Sequence, residues 1–132
     1  MGSAVNYIEY SLHPDVSAMT VGRDSALPFP VLQMHQVHDV HVAVIDNPDI
    51  TSEQLDGYDA MITNLRGLAI GVRTADCIPI LLYDPVNKAA AAVHSGWRGT
   101  VAKILRNVIG KMSSTYGTIP SDILSVIGPG IC

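Results

Sequence analysis

Apolar and polar positions along the chain alternate in short runs, and one longer segment departs from that rhythm. Val40, Val42 and Val44 alternate with His41 and Ala43, the period of two expected of a half-buried strand. Residues 5–12 and 16–21 read as short strands, separated by the turn-forming His13-Pro14-Asp15. Pro28 and Pro30 bracket an extended stretch that leads into residues 31–34. Asn47-Pro48-Asp49 opens a polar loop that runs to Asp56-Gly57. Three apolar runs of strand type follow, at 59–63, 68–74 and 78–83. Asp84-Pro85-Val86-Asn87 has the chemistry of a turn, with proline at its second position. Residues 88–94 read as the returning strand, rich in alanine yet bounded by turn signals.

The longer segment has a different period. Val101, Ile104, Leu105, Val108, Ile109 and Met112 fall at i, i+3, i+4, i+7, i+8 and i+11, one apolar stripe on a helix. Gly117 closes that helix and Pro120 prevents its resumption. A last strand is expected over 123–127. Strands in a run, then a helix, then a strand predict an α+β fold with a mixed sheet.

Composition narrows the class. In 132 residues, 48% are hydrophobic and 15% charged, which excludes a disordered chain and leaves room for one domain, residues 1–132. Eight Lys plus Arg against twelve Asp plus Glu give a net charge of −4, so no basic face is expected for nucleic acid. One Phe and one Trp argue against stacking platforms for single-stranded nucleic acid on this chain. Neither a signal sequence nor an apolar run near the ~20 residues of a bilayer span is visible. The two cysteines, Cys77 and Cys132, do not form a disulfide framework. The expected setting is soluble, reducing and cytoplasmic, with no membrane partner.

Three segments place reactive residues beside apolar strands: Gln36-Val37-His38, Thr74-Ala75-Asp76-Cys77, and His94-Ser95-Gly96-Trp97-Arg98-Gly99. One thiolate and two imidazoles suit zinc, with a fourth position left for water. Two other readings of the same residues stand beside this one. Cys77 is equally an ordinary buried cysteine, or a nucleophile with His94 as its base. His35, His38 and His41 are spaced by three, so on an extended chain His35 and His41 share a face and His38 takes the other. His35 and His41 read as surface or edge histidines and His13 as solvated. Periodicity does not decide which of the three near residue 38 matters.

These segments resemble the YfiH-like family, also called multicopper polyphenol oxidase or laccase-domain proteins. The resemblance rests on Gln36-Val37-His38, Thr74-Ala75-Asp76-Cys77-Ile78-Pro79, Ala92-Val93-His94-Ser95-Gly96-Trp97-Arg98-Gly99 and Gly128-Pro129-Gly130-Ile131, in that order, over about residues 33 to 132. It implies layered mixed sheets with helices packed outside, of α/β/β/α type. It also implies metal ligands at His38, Cys77 and His94, with zinc as the expected ion and copper as the alternative.

The implied activity is that of a zinc-dependent purine nucleoside phosphorylase with adenosine deaminase activity, acting on purine nucleosides and inorganic phosphate. Asp76 is then a candidate proton carrier or orienting group. Arg98, beside the backbone N–H groups that open the helix, is a candidate for phosphate. Asp39 follows His38 where the family commonly has glycine. No Arg-Gly-Gly segment is present, and Arg23 is the candidate to stand for its arginine. Family members continue beyond the Gly-Pro-Gly-Ile block, so the chain is expected to be the N-terminal part of the family fold, and a monomer. The competing classes are a Cys77–His94 hydrolase and a non-catalytic zinc-stabilised module.

Overall fold

The computed structural model describes residues 7–21, 31–33, 41–55, 58–72, 78–95 and 98–127. The main sheet has five strands: β4 (Val42–Ile45), β5 (Ala60–Thr63), β7 (Ile78–Asp84), β8 (Ala89–Ser95) and β9 (Leu124–Ile127). Their spatial order is β4-β5-β8-β7-β9. β4 and β5 run parallel, and every other pair in the sheet is antiparallel. A parallel pair needs a crossover rather than a hairpin. The polar loop after β4 supplies it, with an Asn47 side chain that accepts from the Asp49 N–H at 2.9 Å and a 3₁₀ turn at Ser52–Leu55. Outside this sheet, β1 (Tyr7–His13) and β2 (Val16–Val21) form an antiparallel hairpin, and β3 (Leu32–Gln33) pairs in parallel with β6 (Ile70–Gly71). The mixed α+β architecture is the one the strand and helix periods predict.

The helix α1 (Arg98–Tyr116) lies against β8, β5 and β4. Ile104, Val108 and Met112 of the apolar stripe are buried, and Leu105 and Ile109 pack at the margin of the same cluster. They meet Ala60 and Ile62 of β5, Ile80 and Leu82 of β7, and Ala89, Ala91 and Val93 of β8. Alanine is a weak strand former. On β8 its small side chains let the helix backbone approach the sheet, and pairing on both sides holds the strand in place. The opposite face carries a second cluster, in which Met61, Ala43 and Ile45 meet Leu32 and Leu55. β5 is buried along its whole length, as befits a central strand covered on both faces.

Among the described residues, α1 is the one α-helix, and the second face is covered by the β3–β6 pair and the 3₁₀ turn rather than by a helix. Of the strand expected at 68–74, Ile70–Gly71 is paired, and residues 73–74 lie outside the described residues. A positive φ at Gly67 turns the chain before it. Close packing there needs glycine, because a Cβ on Gly71 would sit 2.8 Å from Cγ1 of Val31. His13, expected in solvent, is half-buried with its ring 5.4 Å from that of Tyr83. The hairpin turn that carries it is tied to the sheet by Lys88 Nζ, 3.1 Å from Asp15 Oδ2.

One end of the sheet is anchored by Asp84, a fully buried carboxylate at the β7–β8 turn. It accepts from the N–H groups of Val86 (2.9 Å) and Asn87 (3.2 Å), from Asn87 Nδ2 (2.7 Å) and from the Thr118 hydroxyl (2.7 Å). Thr118 reaches it because α1 stops at Gly117, whose positive φ and 3.0 Å bond to the Ser113 carbonyl form a left-handed helix cap. Burial by itself raises the Asp84 pKa, but the Thr118 and Asn87 donors and the turn N–H groups outweigh it. The carboxyl therefore titrates below the ordinary aspartate value.

A depressed folded-state pKa contributes stability that is complete above the unfolded value of about 4 and is lost as pH falls through the lower folded value. Urea unfolding should therefore show Asp84→Ala less stable by about 2–4 kcal/mol at pH 7. Asp84→Asn should lose less stability than the wild type between pH 5 and pH 2. At the helix–sheet contact, Ala91→Leu should cost about 1–3 kcal/mol by overpacking, read in the same unfolding experiment.

Candidate active site

The other end of the sheet gathers polar groups. β5 and β4 start there, β7 starts there, and the antiparallel β8 finishes there. His94 is the penultimate residue of β8. It lies opposite Pro79 in the β7–β8 register, one step past the Ile80–Ile127 pair where β9 ends. On the other side, the His94 N–H donates to the Asp59 carbonyl at 2.9 Å. Asp59 and Ala60 in turn donate their N–H groups to the His41 carbonyl at 3.0 and 3.3 Å.

The side chains of His94 and Asp59 face one another inside this frame. Asp59 is 1% exposed and His94 4%. Asp59 Oδ1 lies 3.5 Å from His94 Nδ1. A carboxylate removed from water to this degree requires hydrogen-bonding or charged neighbours, since an isolated one is far too costly to bury. An imidazole is a suitable neighbour, and a carboxylate behind an imidazole orients the ring for work at its other nitrogen.

Of the residues singled out from the sequence, His94 is placed at this sheet end, buried. Arg98 is the first residue of α1, four positions further on, and its side chain is outside the described set. His38, Asp76, Cys77 and Arg23 also lie outside the described residues. Their chain neighbours do not. His41, three residues after His38, supplies the carbonyl that Asp59 and Ala60 share. Ile78, directly after Cys77, pairs with Ser95, directly after His94. The strand order alone thus brings the three reactive segments' flanks to one end of one sheet. His41 is exposed with its ring 6.5 Å from Tyr58, as expected of an edge histidine.

Among the described residues no cluster of three or more His, Cys, Asp or Glu side chains is positioned to hold a metal. The donor set read from the sequence nevertheless fits zinc in kind, and its described member is a buried imidazole backed by a carboxylate. Asp59 was missed by the sequence reading, which placed it inside an apolar strand run. The available signal was a lone charge at the head of a segment otherwise destined for the core. No described helix is long and apolar enough to cross a membrane.

A mixed sheet with a buried histidine–carboxylate pair, at the end where strands give way to the helix, is the layout of an α+β domain with its site at a sheet edge. Residues 18–132 match the family model described as multi-copper polyphenol oxidoreductase laccase, and the chain belongs to that family. It is 39% identical to a purine nucleoside phosphorylase of Streptomyces coelicolor, over 98% of this chain and 57% of that protein. It is 37% identical to a purine nucleoside phosphorylase of Bacteroides thetaiotaomicron, over 81% of this chain and 42% of the relative. An adenosine deaminase from an unknown prokaryotic organism is 43% identical over 74% of this chain and 39% of its own length.

Among solved structures, the YfiH protein of Bacillus licheniformis superimposes with a TM-score of 0.67 at 28% identity, over 75% of this chain and 39% of that one. YlmD of Geobacillus stearothermophilus gives 0.65 at 26% identity, with the same two coverages. The chain therefore spans about 40–60% of the length of these relatives. The family's description is consistent with metal binding.

Proposed function

We propose that this chain carries the metal-binding portion of a purine nucleoside phosphorylase that also deaminates adenosine. The observation that supports this reading is topological. The residues flanking His38, Cys77 and His94 converge on one sheet end, where His94 is buried against Asp59. In this reading His38, Cys77 and His94 hold zinc, rather than copper, because a thiolate with two imidazoles in a non-redox hydrolytic or transfer reaction suits that ion. Zinc, when bound, supplies Lewis acidity to the reacting centre.

The chain's own residues do the rest. Arg98, at the start of α1, binds phosphate together with the helix's first N–H groups. Arg23 is a second cation for the substrate, and Asp76 moves a proton. In phosphorolysis a phosphate oxygen bonds to C1′ of the ribose as the bond to the purine nitrogen breaks. The base leaves with a proton and ribose 1-phosphate remains. In deamination water adds at the carbon bearing the amino group and ammonia departs, converting adenosine to inosine. The proposed setting is the cytoplasm, with the chain as a monomer.

A second reading is favoured by the same pair of side chains. A carboxylate behind His94 also suits a general base for a Cys77 nucleophile, the logic of a Cys–His hydrolase.

Metal content and nucleoside turnover, measured on one purified sample, separate the two. About one zinc per chain, with phosphate-dependent release of adenine or hypoxanthine, is the expected result. Metal-free protein whose Cys77 is alkylated rapidly at neutral pH would establish the hydrolase instead. Zinc without turnover would leave a binding module. For Arg98→Ala, the KM for phosphate should rise about 10- to 100-fold, the equivalent of one charge-assisted hydrogen bond. Its zinc content should be unchanged. An unaltered phosphate dependence would remove Arg98 from the site.

A further inference from the structure

We propose that Asp59 is a positioning residue: it fixes the His94 ring with the proton on Nδ1 and turns Nε2 toward the reaction site. The inference deepens the reading above and rests on it for the identity of what Nε2 meets.

Three observations carry it. The first is proximity in a dry place, with Asp59 Oδ1 3.5 Å from His94 Nδ1 and both residues buried. The separation is at the long limit of hydrogen-bond distance, so the two groups interact chiefly as a charge and an oriented N–H dipole. That attraction is strong where water does not screen it.

The second is the backbone. The Asp59 carbonyl accepts the His94 N–H at 2.9 Å, and the Asp59 N–H is held by the His41 carbonyl at 3.0 Å. The next pair along, Ala60 opposite Val93, is part of the β5–β8 ladder. Asp59, the residue before β5, is therefore fixed relative to His94 by backbone hydrogen bonds on both sides.

The third is economy of charge. An acid at the head of an otherwise apolar strand is expensive to bury and adds nothing to the core. The sheet's other buried carboxylate, Asp84, has four donors that account for it as a structural anchor. Asp59 faces the His94 imidazole across 3.5 Å.

Two consequences follow. With a carboxylate at Nδ1, the neutral ring carries its proton there and exposes the Nε2 lone pair, the tautomer that ligates a metal or accepts a proton. A ring oriented in advance also loses less freedom on ligation, and loss of such an outer carboxylate typically lowers metal affinity 10- to 100-fold.

The test uses the full chain and two readouts. Long-range nitrogen–proton NMR on histidine-labelled, metal-free wild type should show the neutral His94 ring protonated at Nδ1. Protonation at Nε2 would overturn the proposal, and this measurement needs no variant. Competition against a zinc chelator should show Asp59→Asn binding zinc 10- to 100-fold more weakly than wild type. The Co²⁺-substituted spectrum of that variant should be shifted, and its circular dichroism unchanged. Wild-type affinity together with an unshifted Co²⁺ spectrum would also overturn the proposal. If wild type itself takes up no zinc, the metal reading of the function fails. The tautomer measurement then decides the role of Asp59 alone.

Discussion

The β5–β8 ladder is the constraint on which the rest of the structure depends. Its register, Ala60 opposite Val93 through Thr63 opposite Ala90, puts alternate side chains of both strands under α1 and the remainder against the second apolar cluster. A slip of β5 by one residue against β8 would turn Ala60 and Ile62 away from the helix and bring Met61 beneath it. The same ladder, continued by one hydrogen bond, joins the His94 N–H to the Asp59 carbonyl. Core packing and site geometry are therefore set by a single alignment. Loss of the helix contact would be felt at the imidazole.

The two buried aspartates show how the sheet's ends differ. Asp84 closes the β7–β8 turn and meets donors from its own turn and from the segment after α1. Its negative charge is balanced locally, and its role is complete without any further group. Asp59 lies at the opposite end and faces a titratable ring. Where one end of a sheet is closed by a turn and a helix cap, the end where the helix begins is the place for chemistry. β8 ends there at Ser95 and α1 begins at Arg98.

Much of this was legible in the sequence, for physical reasons that can be named. The stripe from Val101 to Met112 specified α1 because burial on one side only leaves a 3.6-residue period, and Gly117 marked its end through a left-handed cap. The strand at 16–21 emerged with the same bounds as β2. The segment at 68–74 shows where such reasoning stops. Leu68, Ile70 and Val72 pack against the second cluster, but an apolar run does not reveal which strand it pairs with or in which direction.

The site was legible to a different degree. His94 was identifiable because a histidine ending a strand before a glycine-flanked helix start is chemically conspicuous. Asp59 was not, since a lone charge at the head of a run such as Asp59-Ala60-Met61 fits an exposed strand cap as well as a buried carboxylate. The distinction is made by non-local pairing. Asp59 and His94 are far apart in the chain, and only the strand order places one behind the other. A motif names the groups that meet a ligand. The groups that hold those in place are drawn from whichever strand the fold sets alongside, and short-range patterns do not record them. In this chain that neighbour is the strand that also carries the core, so the support of the imidazole and the stability of the sheet are inseparable.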